Sequence, residues 1–338
     1  METQKNKIAI VILNWNGLKW LDKFLPSIIM YSHTTPIYVI DNNSNDDSVK
    51  FIKTNYPLIN IVKNKGNFGY AKGYNIGLEN IKFEYYILIN SDVEVTKNWI
   101  NPIIELMDKN TDVSACQPKI LNYNDKRYFE YAGASGGFID FLGYPYCRGR
   151  IFDSLEVDKG QYNDIKEIFW ATGACLFIRA KHFNEIGGFD DDFFAHQEEI
   201  DLCWRLKNKG YKIMINPNSV VYHYGGGTLD SSSPKKTYLN FRNNLYMLFK
   251  NLHFLHLIYI ISIRLILDGF AAFSFLNKRS GLSHMLSIFK AHIVFYVNIP
   301  KLIFKRLNIS QKKLNSCMYY KSIVFKYKIQ KIKKFEDL

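Results

Sequence analysis

The chain has 338 residues, 47% hydrophobic and 16% aromatic, which fits one large domain or two small ones and supplies ample material for a core. Its five cysteines (Cys116, Cys147, Cys175, Cys203, Cys317) are odd in number and form no CxxC pair, which excludes a disulfide-framed scaffold and fits reduced thiols inside a cell. The net charge of +13 is uneven: 14 of the 44 Lys and Arg but only two of the 31 acids follow residue 268, so the tail carries the excess and points to an anionic partner.

The polar start METQKNK runs into IAIVIL, too short for a signal-peptide core and without a cleavage site, so the expected setting is cytoplasmic. IAIVILNW (8–15), IYVIDN (37–42), INIVKN (59–64) and YYILIN (85–90) are short apolar runs that each reach Asn or Asp. Between them, residues 18–30, 46–56 and 70–81 carry helical patterns. Near-continuous apolar strands alternating with amphipathic helices predict βαβ units around a mostly parallel sheet. The polar strand ends would then share one edge, where open α/β sheets bind ligands. Asn90-Ser91-Asp92 taken alone reads as a turn; as one member of this series it reads as part of a site.

Residues 120–168 hold Gly133, Gly136, Gly137, Gly143, Gly149 and Gly160 among many aromatics and are expected to form long functional loops. IFWATGACLFIRA (168–180) reads as a strand or strand pair, and YKIMI and SVVYHY as further strands. EEIDLCWRLKNKG reads as a helix with acids in its first turn and Gly210 as its stop. LHFLHLIYIISIRLILDGFAAFSFL (252–276) has the apolarity of a membrane span, but Arg264 and Asp268 interrupt it, four apart on one helical face where they can pair. A second run, 282–304, is broken by Lys290 and Pro300. Both read as helices lying on a membrane, with the basic stretch after Lys301 meeting anionic headgroups. No nucleic-acid module accompanies the charge.

VILNWNG, VIDNNSNDDS, NKGNFGYAKGYNIGL, ILINSDVEV, WATGACLFIRA and FDDDFFAHQEEIDLCWRL occur in that order over about residues 8–245. Together they resemble the family-two inverting glycosyltransferases, especially their rhamnosyltransferase-like branch. The resemblance implies the GT-A fold, with a catalytic unit over 1–250 and a membrane-associated helical and basic extension over 251–338. It also implies transfer of a sugar (rhamnose is one option) from a dTDP- or UDP-sugar to a hydroxyl, with Mg²⁺ or Mn²⁺ as cofactor.

By the same resemblance, Asn14, Asp41, Asn43, Gly66, Asn67, Gly69, Lys72, Asn75, Asn90 and Ser91 are donor-binding candidates. Asp41 would read the base, although it can equally cap the turn that follows. The glycines of 66–75 allow close backbone approach, and Lys72 suits phosphate. Asp92 stands at the end of the family's DxD motif and would ligate the cation, since hard cations take carboxylate and phosphate oxygens. Asn90 replaces the first acid, so metal affinity leans on the diphosphate. His223 matches a further metal ligand of some members, against the alternative of a structural strand histidine.

Glu199 aligns with the family's general base, where most members have Asp, and Glu198 remains its rival. Helix capping also accounts for acids there. Trp170, Thr172 and Gly173 would flank the acceptor. The implied acceptor is a polyprenyl-linked saccharide in cell-surface polysaccharide synthesis at the cytoplasmic face of the membrane. The alternatives are a sugar nucleotidyltransferase, which should show a Gly-rich basic loop where NWNGLKW stands, and a sugar- or nucleotide-binding scaffold without activity.

Overall fold

The computed structural model describes residues 7–225, 233–276, 280–312 and 315–338. The polar start, Gly226 and Gly227, and the tail cations Lys278, Arg279 and Lys313 lie outside the described residues. The first half of the chain alternates as expected: β1 (Ile8–Asn14), α1 (Leu18–Tyr31), β2 (Ile37–Asp41), α2 (Ser48–Asn55), β3 (Asn60–Lys63), α3 (Gly69–Leu78) and β4 (Tyr85–Asn90). These strands are apolar on both faces because helices cover both; Ile10, Ile12, Ile87 and Ile89 pack into one core layer, and Val11, Ile40 and Leu88 into another. Next come β5 (Val93–Val95), α4 (Asn101–Lys109) and β6 (Val113–Asn122), followed by the short strands β7 (Gly137–Asp140), β8 (Pro145–Cys147), β9 (Arg150–Ile151) and β10 (Ser154–Leu155). The catalytic half closes with β11 (Lys166–Ile168), β12 (Cys175–Arg179), α5 (Ala180–Glu185), α6 (Glu198–Lys209) and β13 (Lys212–His223).

The main sheet runs β11-β13-β6-β12-β4-β1-β2-β3, with β5 added on β13. The β3-β2-β1-β4 half is parallel, whereas β12 lies antiparallel to both β4 and β6. Register sets Asn14 opposite Asp41 and Asn90 beside Leu13, so the polar strand ends do share one edge. Residues 120–168 are not simply loops: β7 to β10 form a second, five-stranded sheet with a late strand, β14 (Met318–Tyr319). Strands of two to four residues carry too little periodicity to be legible. The YKIMI and SVVYHY runs are one bulged strand, with the irregularity between Asn216 and Val220.

The remaining elements are α7 (Pro234–Asn251), α8 (Phe254–Ser274), α9 (Gly281–Val297), α10 (Ile299–Leu307) and α11 (Ile323–Lys328). The chain after residue 250 returns to the earlier part of the fold. β14 pairs with β7, the Ile323 amide donates to buried Asp140, and Phe335 packs on Phe138 and Tyr146. Lys301 and Lys305 pair with Asp192 and Asp190, and Arg306 donates to the Phe249 carbonyl. These tail cations are therefore engaged inside the protein.

α8 is long and apolar enough to cross a membrane, and α9 with α10 forms a pair bent by 59°. The amphipathicity of α8 is inverted. Arg264 and Asp268 point inward, 3.2 Å apart and buried, and Arg264 also donates to the Leu142 carbonyl. Phe254, Ile258, Ile266, Phe270 and Phe273 point outward. Removing one partner strands a buried charge, so Arg264→Leu should destabilise the protein by about 3–5 kcal/mol, while Arg264→Leu/Asp268→Leu should recover most of that loss. Denaturant unfolding of the two variants checks this.

Candidate active site

The site grows from the edge formed by the ends of β1, β2 and β4. Asn14 and Asp41 are both buried. The Asn14 amide donates to Asp41 Oδ1 at 3.2 Å and to Ser44 and Ser48 Oγ at 3.1 and 2.9 Å, and Asp41 Oδ2 accepts from the Ser44 amide. Asp41 thus caps its own turn while fixed at the sheet edge. Asn43 follows it, exposed and left-handed at φ 62°. Ser91 reaches the same place from β4, with its hydroxyl 3.7 Å from where a Cβ on Gly17 would stand.

The glycine-rich segment makes the second wall. Asn67 accepts from the Gly69 amide, a local turn beside half-buried Gly66. Gly69 is at φ +75°, and a Cβ there would lie 2.2 Å from the Phe194 carbonyl, which accepts the Tyr70 amide. That close approach requires glycine. Lys72 is half-buried, with its ammonium over the Phe68 ring. Asn75 is not brought to this edge: its amide bonds the Phe189 backbone at both ends and Asp191, tying α3 to the 189–191 loop.

Asp92 and His223 do come together, with His223 Nε2 3.2 Å from Asp92 Oδ1. Glu130, which no motif singled out, lies 3.3 Å from His223 Nδ1. All three are buried. Burial opposes charge on the imidazole, but the two carboxylates prevail and hold the His223 pKa well above its ordinary value. Among the described residues no three His, Cys, Asp or Glu side chains form a ready ligand set. Asn90, at the end of β4, anchors the strand through its amide to the Ala174 carbonyl.

The third wall carries the acid pair. Glu198 is buried and Glu199 partly so, and each has a buried carboxylate oxygen with no partner among the described residues. Such oxygens are costly and call for an explanation in function. Burial, reinforced by Glu199, pushes Glu198 well above the usual carboxylate range; burial also raises Glu199 to about 7. Gly173 sits against this wall: a Cβ on it would lie 2.9 Å from the Tyr70 hydroxyl and 3.8 Å from Glu199 Cβ. Thr172 donates to the Ala132 carbonyl, two residues from Glu130, so the two acidic clusters are linked. Trp170 lies in the core, with its indole N–H given to the Phe138 carbonyl, and does not line the cleft.

The profile of glycosyl transferase family 2 matches residues 9–187, more than half of the chain. The chain belongs to glycosyl transferase family 2. The hexosyltransferase Agl10 of Haloferax volcanii, of low-salt glycan biosynthesis, is 25% identical over 72% of this chain and 75% of its own length. An N-acetylglucosaminyl-diphospho-decaprenol L-rhamnosyltransferase of Mycobacterium tuberculosis is 22% identical over 64% of this chain and 76% of its own. The rhamnosyltransferase WbbL of Escherichia coli is also 22% identical, over 64% of this chain and 83% of its own. In fold, GalNAc-T7 with UDP, GalNAc and Mn²⁺ matches with TM-score 0.59 at 16% identity, over 89% of this chain and 57% of that one. S. aureus TarS matches with TM-score 0.56 at 14% identity, over 88% of this chain and 50% of that one. This enzyme is a GT-A glycosyltransferase, and family membership removes the nucleotidyltransferase alternative.

Proposed function

We propose that this glycosyltransferase moves a sugar of the rhamnose class from a dTDP- or UDP-linked donor to a hydroxyl of a polyprenyl-linked saccharide, with inversion. The observation that carries this reading is the acid pair Glu198 and Glu199, each with one buried carboxylate oxygen without a partner among the described residues, in a fold that also brings Asp92 to His223. Rhamnose and the lipid-linked acceptor rest on what the mycobacterial relative is named for. Asp41 would read the base and Lys72 meet the diphosphate. Asp92 and His223 would hold Mg²⁺ or Mn²⁺, and the bound cation supplies Lewis-acid help to the departing diphosphate. Glu199 takes the acceptor proton as the acceptor oxygen bonds to the anomeric carbon; the bond from that carbon to the diphosphate breaks on the opposite face.

The enzyme would work at the cytoplasmic face of a membrane, lying on it through the outward faces of α8, α9 and α10. Leu282, Leu286, Phe289 and Ile293 of α9, with Ile303 and Phe304 of α10, extend the exposed apolar surface of α8. A contiguous apolar surface of this kind marks a docking face. A bilayer suits it because the charged pair of α8 is turned away from it.

Three outcomes test the reading. Glu199→Gln should keep donor binding and lower transfer by roughly 10²–10⁴, and wild-type transfer should rise with pH through about 7, because the base must lose the proton that burial retains. If Glu198→Gln shows the larger loss, the two acids exchange roles. Asp92→Asn should weaken nucleotide-sugar binding in Mn²⁺ by calorimetry while the fold persists; unchanged affinity would remove Asp92 from the cation site. The full chain should sediment with anionic vesicles, weakened but not released by high salt, since screening removes only the electrostatic part. Release by detergent alone at any salt would mean spanning, and binding to nucleic acid instead of vesicles would end the membrane assignment.

A further inference from the structure

His196 and Gln197, directly before the acid pair, are both left-handed, at φ 71° and 69°. Neither is glycine, and such a backbone persists only where its surroundings impose it. The imposing groups come from α7. Asn243 Nδ2 donates to the Ala195 carbonyl at 2.9 Å and to the His196 carbonyl at 2.7 Å. Its Oδ1 accepts from Arg242 Nε and Nη2, and Arg242 also donates to the Asp192 carbonyl, so the amide is held with its donor toward the loop. Asn244 Nδ2 donates to Gln197 Oε1 at 2.9 Å and to the Gly143 carbonyl at 2.8 Å, while Gln197 Nε2 donates back to the Asn240 carbonyl. Both asparagines are buried.

The same helix grips α6 beyond the pair. Asp201 accepts from Asn251 Nδ2 at 2.8 Å and lies 2.9 Å from Lys250 Nζ, and Lys250 also pairs with Asp190. Contacts thus fall on both sides of Glu198 and Glu199 and leave the two carboxylates themselves free of them. A helix that only closed the core would have no reason to spend four buried polar side chains on one seven-residue stretch of backbone and its first helical turn.

We propose that Asn243 and Asn244, acting through Gln197 and the 195–196 carbonyls, are positioning residues that aim the acid pair into the cleft. This rests on the reading of that pair as the site of the general base. Tyr70 from α3 and Cys203 from α6 itself lie beside the pair.

The test uses the full chain with Gln197→Gly and Asn244→Ala. Glycine accepts φ 69° without strain, so Gln197→Gly should fold with an undiminished unfolding midpoint while losing the link to Asn244. With a panel of UDP- and dTDP-sugars in Mn²⁺, both variants should keep the donor KM and lose roughly 10–100-fold in kcat, the scale of a small misplacement of a reacting group. A donor-free readout is the infrared carboxyl band assigned by Glu199→Gln: in wild type it should persist to about pH 7, and in Gln197→Gly it should disappear at lower pH as the acid swings toward water. A Gln197→Gly protein with wild-type kcat and an unshifted band would overturn the positioning role. If neither Glu198→Gln nor Glu199→Gln lowers transfer, it is the base reading that fails instead.

Discussion

The constraint on which the rest of the molecule depends is the burial, full or partial, of four carboxylates, Asp92, Glu130, Glu198 and Glu199. Isolated buried charge is far too costly to stand, so each group must be neutralised or given a partner. The two clusters solve this differently. Asp92 and Glu130 flank one imidazole, His223, at 3.2 and 3.3 Å from its two ring nitrogens. Glu198 and Glu199 have no such partner; burial holds both above the usual carboxylate range, against the dipole of the first turn of α6, which favours the ionised form. One cluster thus suits binding of positive charge, and the other suits removal of a proton. An inverting transfer needs both on one edge.

What holds this edge together is mostly backbone geometry. The parallel half of the sheet sets Asn14 opposite Asp41, and one left-handed glycine, Gly69, lets the Phe194 carbonyl approach and lock the donor wall to the loop before the acids. Thr172 then joins the Glu130 segment to the Gly173 wall. These are short, directional contacts, and each fixes a wall without spending a charge.

Much of this was legible in the sequence. The four apolar runs, the three helices between them, the α6 stop at Gly210 and the Arg264–Asp268 pair all follow from periodicity and spacing, which act over a few residues. Glu130 was not legible: it lies in a glycine-rich stretch without a motif, and it reaches His223 because the chain folds back on β6, which pairs with β13. Asn75 and Trp170 stood within motif segments, yet the fold turns one toward the 189–191 loop and the other into the core. Spacing does not say which face a residue on a tight turn or short strand presents. Lys301 and Lys305 were read as lipid contacts because the acids they meet, Asp190 and Asp192, lie more than a hundred residues earlier.

That last pairing bears on how the enzyme is organised. The tail reads as a separate basic appendage, but its helices close against α7: Tyr246 and Phe249 meet Phe295 of α9, and Lys250 shares Asp190 with Lys305 of α10. On its other side α7 holds the 195–197 backbone and Asp201. One helix therefore stands between the apolar outer surface and the acid pair. An inward-facing charged pair on α8 and an inward-facing lysine on α10 both serve this arrangement, since each spends its charge on the protein and leaves an apolar face outside. α7 therefore packs against α9 and α10 on one side and against the backbone just before Glu198 and Glu199 on the other.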